Sequence, residues 1–269
     1  IEIIERFFGI ELADQLVSQG RQADLTVANN VLAHVPDIND FIKGFARLLK
    51  PNGVSTFEFP HLINMVKEGQ FDTIYHEHFS YLSLTAVDSI FRSNGMTIYD
   101  VKELPTHGGS LRIFAQRSDS GIHPLSSAVT DMLDRELIAG VKTDAYYLRF
   151  QEKANRIKDD FIAFLIDAKR EGKSVGAYGA AAKGCTLLNY AGIRRNLLPW
   201  VVDRNPAKCG KFLPGNRIPI VDESRIREEQ PNFVIILPWN LCDEVMEQLA
   251  YIRNWGGQFV IAIPEIKVL

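Results

Sequence analysis

Apolar positions along this chain alternate between two rhythms, short near-continuous runs and longer stretches with a period of three to four. IEIIERFF opens as a strand-like run closed by Gly9. ELADQLVSQG places Leu12, Leu16 and Val17 on one helical face. ADLTVANN reads as a buried strand ending in a polar turn, and INDFIKGFARLLK as a helix that the turn Pro51-Asn52-Gly53 ends. GVSTFEFP is the next strand, LINMVKEGQF a short helical piece, and SLTAVDSIFRSNG a further helix. MTIYDVKEL and SLRIFAQR follow as successive strands, an antiparallel finish to an otherwise alternating sheet. A charged helical stretch spans about 126–171. Then strands KSVGAYGA, PWVVD, IPIV, NFVIILPW and QFVIAIP alternate with helices. β-Branched runs between helices predict parallel strands buried on both faces. The expected fold class is therefore α/β, with two α/β lobes.

Composition changes this picture little. The chain has 269 residues, 46% apolar and 23% charged, with a formal charge of -3. That balance gives no global attraction to nucleic acid or to an acidic membrane surface. The longest apolar runs are strand-sized, so no span of a bilayer is expected. No charged-then-apolar leader opens the sequence, and a cytoplasmic location is the expectation. Cys185, Cys209 and Cys242 are far apart, with no C-x-x-C pair, as suits a reducing compartment. The chain starts at Ile1 rather than Met, as a fragment of something longer would.

Four segments carry candidate chemistry. The end of ADLTVANN and the turn after it place Asn29, Asn30 and His34 at the carboxyl end of a strand, where ligands sit in open α/β sheets. In FDTIYHEHFSYLS, two histidines flank Glu77 and Tyr75 precedes them. A histidine titrates near neutral pH, a neighbouring carboxylate orients it, and a phenol can donate to a developing oxyanion. These parts suit removal of a proton next to a carbonyl; they suit a solvated polar loop as well. A metal would draw on His76, His78 and a carboxylate or His107, a ligand set that alternating α/β architecture does not favour. In LPTHGGSLRIF, Gly108 and Gly109 permit positive φ or close approach to a ligand, with donors at His107, Ser110 and Arg112; a hairpin turn explains the glycines equally. In VGAYGAAAKGC, a strand meets a helix N-terminus through Gly179, a phosphate-holding arrangement to which Lys183 adds charge. Asp203, at the end of PWVVD, stands about where a ribose-binding acid stands in dinucleotide folds. Tyr178 replaces the middle glycine of G-x-G-x-x-G, which disfavours NAD and leaves a nucleotide-sugar diphosphate.

The order VANNVLAHVPD followed by LKPNG resembles the second half of class I S-adenosylmethionine-dependent methyltransferases. Together with FDTIYHEHFSYLS, ELPTHGGSLRIF, GAYGAAAKG and ILPWN, it resembles the nucleotide-sugar 3-C-methyltransferases over almost the whole chain. The resemblance implies a partial class I, Rossmann-like methyltransferase domain over 1–120 and a helical connector over 121–171. A second Rossmann-like, nucleotide-sugar binding domain would cover 172–269. It implies S-adenosylmethionine as cofactor and a nucleoside-diphosphate keto-sugar as partner, with neither nucleic acid nor membrane. His78 maps onto the family's base, with Glu77, Tyr75 and His34 completing the reactive pocket. Asn29, Asn30, Phe7 and Phe8 are left to meet the cofactor, and His107, Gly108, Gly109, Ser110, Gly179, Lys183 and Asp203 the substrate. The family's four-cysteine zinc module and Gly-rich cofactor loop have no counterpart in this sequence, so zinc is expected only in that missing module. The competing expectations are a non-catalytic nucleotide-sugar binding protein and an NAD-linked sugar dehydrogenase.

Overall fold

The structure, a computed structural model, describes residues 2–269. The chain divides into two compact units, Ile1–Met65 with His76–Tyr146, and Val66–Tyr75 with Tyr147–Leu269. The first unit holds α1 (Ile10–Ser18), β1 (Ala23–Asn29), α2 (Ile38–Leu48) and β2 (Leu49–Pro60). After α3 (Leu62–Glu68) come α4 (Leu84–Ser93), β3 (Met96–Leu104), β4 (Ser110–Arg117) and α5 (Ser127–Ala139). Its four-stranded sheet runs β1-β2-β4-β3, with β1 and β2 parallel and the other neighbours antiparallel. The expected antiparallel finish is present. Phe57, Phe91, Leu32, Ile42, Ile98 and Leu111 are fully buried in this unit's core.

Two expectations fail here, each for a stated reason. Residues 2–8 form no strand, and Ile1 lies outside the described residues. Strand propensity is realised only where a neighbour completes the ladder. Instead Arg6 reaches forward to the side chains of Glu11 and Gln15, each at 2.6 Å. Nor does Pro51-Asn52-Gly53 separate helix from strand, because β2 begins at Leu49 and runs through it. The register slips there, from Ala23 opposite Leu49 to Leu25 opposite Val54. A proline has no N–H for the ladder, so the turn is absorbed as a bulge.

After α6 (Asp144–Tyr147), the second unit holds α7 (Phe150–Arg170), β5 (Val175–Tyr178), α8 (Ala182–Tyr190), β6 (Val201–Val202) and β7 (Ile220–Val221). Then come α9 (Ser224–Glu229), β8 (Phe233–Ile236), α10 (Cys242–Gln248), β9 (Gln258–Ile261) and β10 (Lys267–Val268). α7 buries Ala154, Ile157, Phe161, Leu165 and Ala168, a single stripe at helical spacing. The six-stranded sheet runs β10-β9-β8-β5-β6-β7, parallel except for β10. From β5 the chain winds outward through β6 and β7, then returns to β8 and β9 on the other side. The reversal between β5 and β8 is the switch point of a doubly wound sheet, where a crevice opens at the strands' carboxyl ends. No helix among the described residues is long and apolar enough to cross a membrane.

Candidate functional site

In the first unit the carboxyl ends of β1 and β2 gather polar groups. Asn29 ends β1 opposite Glu58 and is exposed. Asn30 turns the chain in the left-handed region at φ 55°, with its N–H donating to the Glu58 carbonyl at 2.7 Å. Asparagine tolerates that conformation better than most residues. Its Oδ1 is buried and has no hydrogen-bond partner. A buried acceptor left unsatisfied calls for an explanation, and a ligand's donor is one.

A 3-10 turn, Leu32–His34, then brings in His34. Its Nδ1 donates to the Glu77 carbonyl at 2.9 Å. A carbonyl accepts only, so Nδ1 carries the proton and Nε2 is the lone-pair nitrogen of the neutral ring. The His78 ring stands edge-on to His34, with centroids 4.7 Å apart. The Ala33 carbonyl accepts from Phe79 N–H at 2.8 Å and Ser80 N–H at 3.2 Å, which fixes the chain after His78 against the end of β1. His76 and Glu77 form the turn itself and are exposed. Tyr75 belongs to the second unit, and the chain enters the first at His76. Phe8 packs on Phe41 and Phe45, with centroids 5.8 and 4.8 Å away, whereas Phe7 is 100% exposed.

The H-G-G-S segment is a turn from β3 into β4. His107 at φ 56°, Gly108 at φ 87° and Gly109 at φ 111° are all left-handed. A Cβ on Gly109 would collide with the Asn64 side chain, so glycine is required on two counts. The Ser110 hydroxyl is spent inside the turn, donating to the Thr106 carbonyl at 2.9 Å. Sequence reasoning missed the acid beneath this turn. Glu58 is 4% exposed and accepts from the Thr106 hydroxyl at 2.8 Å and the Arg112 guanidinium at 2.7 Å. Burial pushes this carboxyl up, but the Arg112 and Thr106 bonds outweigh it and hold it below the usual range. A lone charge inside the strand GVSTFEFP was the available signal.

In the second unit the switch point is built from four segments. After β5, Gly179 turns at φ 95°, and a Cβ there would strike Pro238. Asp203 at the end of β6 fastens this turn. Its Oδ2 accepts from Ala180 N–H at 2.9 Å and the Lys208 ammonium at 3.0 Å, and its Oδ1 from Asn205 N–H at 2.9 Å. α8 starts at Ala181 with no side-chain cap, so its first N–H groups face outward with the positive end of the helix dipole. Lys183, in its first turn, donates to Asn240 Oδ1 at 2.9 Å and stands 4.3 Å over the Trp239 ring. No carboxylate among the described residues lies within ion-pair distance of it. Burial lowers its pKa, and Asp72 opposes that. Trp239 in turn donates its indole N–H to Asp72 Oδ2 at 2.8 Å. Asp72, Trp239 and Asn240 also escaped sequence reasoning. Their signals were an acid between Phe71 and Thr73 and a polar pair directly after an Ile-Ile-Leu-Pro run. Among the described residues, no three His, Cys, Asp or Glu side chains are grouped to hold a metal ion.

Comparisons with known proteins match two successive stretches of the chain. Residues 4–101 match the family described as a methyltransferase domain. The chain is 33% identical over all 269 residues to the C-methyltransferase NovU of Streptomyces niveus, and spans 64% of that protein's length. Among solved structures, magnesium protoporphyrin IX methyltransferase from Synechocystis PCC 6803 with bound SAH is 17% identical, covering 36% of this chain and 46% of its own, with a TM-score of 0.29. An S-adenosylmethionine-dependent methyltransferase from Mesorhizobium loti is also 17% identical, covering 36% and 62%, with a TM-score of 0.30. Residues 105–264, more than half of the chain, match the family described as the C-methyltransferase C-terminal domain, and the chain belongs to that C-methyltransferase family.

Proposed function

We propose that this chain serves an S-adenosylmethionine-dependent C-methyltransferase acting on a nucleoside-diphosphate 4-keto-deoxysugar. The observation that carries the reading is the His34–His78 pair at the carboxyl end of β1, held by backbone bonds on both sides of His78. His78 takes the proton next to the ketone, at the carbon to be methylated. The resulting enolate needs a donor at its oxygen. Tyr75, three residues back along the chain, supplies one from its phenol. His34 does so only as an imidazolium, because its Nδ1 proton is committed to the Glu77 carbonyl. Glu77 acts here through that carbonyl, setting the tautomer of His34.

The first unit fits one side of the cofactor. Asn30 Oδ1 is a buried acceptor without a partner, suited to an amine donor, and Asn29 and the exposed Phe7 ring are further candidates for this side. When bound, S-adenosylmethionine supplies the electrophilic methyl group. The substrate's diphosphate is assigned to residues 179–183 of the second unit, at the switch-point crevice, with Lys183 as its cation. His107, Gly108 and Gly109 are assigned to the sugar, with Ser110 closing their turn and Glu58 and Arg112 bracing it.

The base is tested apart from methyl transfer. Exchange of the hydrogen α to the ketone with deuterated solvent, followed by NMR on a nucleoside-diphosphate 4-keto-6-deoxysugar, reads His78 alone. His78→Gln is expected to slow exchange and methylation by roughly 10²–10⁴-fold with nucleotide-sugar affinity retained. Unchanged exchange and turnover would reject the catalytic assignment in favour of a binding protein.

A further inference from the structure

Asp72 is the one acid of the second unit's described residues that is fully buried. Its Oδ2 holds the Trp239 indole N–H, while its Oδ1 is buried with no hydrogen-bond partner. The same indole carries the Lys183 ammonium over its face. An anionic group at the ring's edge and a cation above the ring thus share one rigid support. We propose that Asp72 is the proton-accepting counter-charge of the anion site at Lys183: when a diphosphate settles there, the Asp72 carboxylate takes up one proton from solvent and becomes a neutral acid. The proposal rests on the assignment of the substrate's diphosphate to residues 179–183.

Electrostatics gives the direction. Without ligand, the Lys183 ammonium is the main charge favouring an ionised Asp72. A bound diphosphate cancels that field and adds repulsion, felt by a carboxyl that is itself fully buried and so weakly screened. The balance then shifts toward the neutral acid. Asp72 is already poised for this, since burial raises its carboxyl to about 6 against the bond from Trp239 and the charge of Lys183. Other charged groups packed around the segment are few. α7 brings Lys153, bonded to the Lys67 carbonyl, and Lys158, over the Tyr190 ring. α8 adds Tyr190, whose ring packs on Phe71, and the segment itself has Lys67, Glu68 and Tyr75. The turn Trp239–Leu241 brings no charge.

Calorimetric titration of the whole chain with thymidine diphosphate-glucose and uridine diphosphate-glucose, in buffers of different ionisation enthalpy, measures the proton directly. The diphosphate of these probes is esterified at both ends and lacks the oxygen that titrates near pH 6 in a phosphate monoester. If binding lifts Asp72 by about one unit, uptake is about 0.4 proton at pH 7, and binding is about fivefold tighter at pH 6 than at pH 8. Asp72→Asn, which keeps the acceptor for Trp239, is expected to bind with no uptake and a flat pH profile. Binding that depends on Lys183 but takes up no proton, or uptake that persists in Asp72→Asn, overturns the proposal. If neither probe binds, or Lys183→Ala binds as well as the parent, the diphosphate assignment itself falls and the proposal with it.

Discussion

Single residues in this protein are set against their ordinary chemistry by where the chain puts them. Asp72 is the sharpest case, a carboxyl that is 0% exposed and raised from 3.8 to about 6. A raised carboxyl means that the folded state holds its proton more tightly than the unfolded chain. Its stabilising share is present below about pH 4 and is lost as pH rises through 6, a difference of roughly 3 kcal/mol for one group. Asp72→Asn removes the titration. The unfolding free energy of this variant relative to the parent, from urea melts at several pH values, is expected to rise by about that amount between pH 4 and pH 7. Parallel pH profiles for the two chains would show that burial does not act on Asp72 as described. His78 and Glu77 stand out as candidates from residue type and spacing alone. That the Glu77 carbonyl accepts from the His34 ring is not legible there, because a contact with a residue 43 positions away leaves no trace in composition.

Elements were legible wherever apolar rhythm was strong, and most strands and helices fall where it places them. Their ends are another matter. α4 begins at Ser83, whose hydroxyl accepts from Ala86 N–H at 3.1 Å. That local cap is a sequence signal. The rest of the cap comes from α5. Glu136, fully buried, accepts Leu84 N–H at 2.6 Å and Thr85 N–H at 2.7 Å, and pairs with the buried His61 at 2.8 Å. Its carboxyl is held low although burial alone would raise it, because His61 and the helix N–H groups favour the anion. Removing it leaves a buried histidine and two helix donors unpaired. Glu136→Ala is expected to cost about 3–5 kcal/mol in chemical denaturation, and less than additively when combined with His61→Ala. The failures of sequence reasoning at residues 2–8 and 49–53 share one cause. Whether an apolar run becomes a strand, or a Pro-Asn-Gly turn separates helix from strand, depends on the partner strand's register.

At the scale of the molecule, two units each carry their own core. The cofactor and the substrate's diphosphate, assigned to different units, should leave separate footprints in hydrogen exchange. S-adenosylhomocysteine is expected to protect amides after β1, around residues 28–34. Thymidine diphosphate-glucose is expected to protect residues 70–74 and the start of α8. Protection of the start of α8 by S-adenosylhomocysteine alone, or no protection there by thymidine diphosphate-glucose, would overturn the assignment of the diphosphate to residues 179–183.

By itself the sequence determined the alternation of strands and helices, the order of its motifs and the residue types able to move a proton or hold a phosphate. These properties are local: periodicity, turn chemistry and side-chain identity act within a few residues. Only the tertiary structure decided that Asp72 meets Trp239, 167 residues away, that Glu58 anchors Arg112 beneath the glycine turn, and that His61 and Glu136 close the start of α4. Such contacts follow from strand order and register. Their electrostatic consequences follow from desolvation, which exists only once the chain has closed around them.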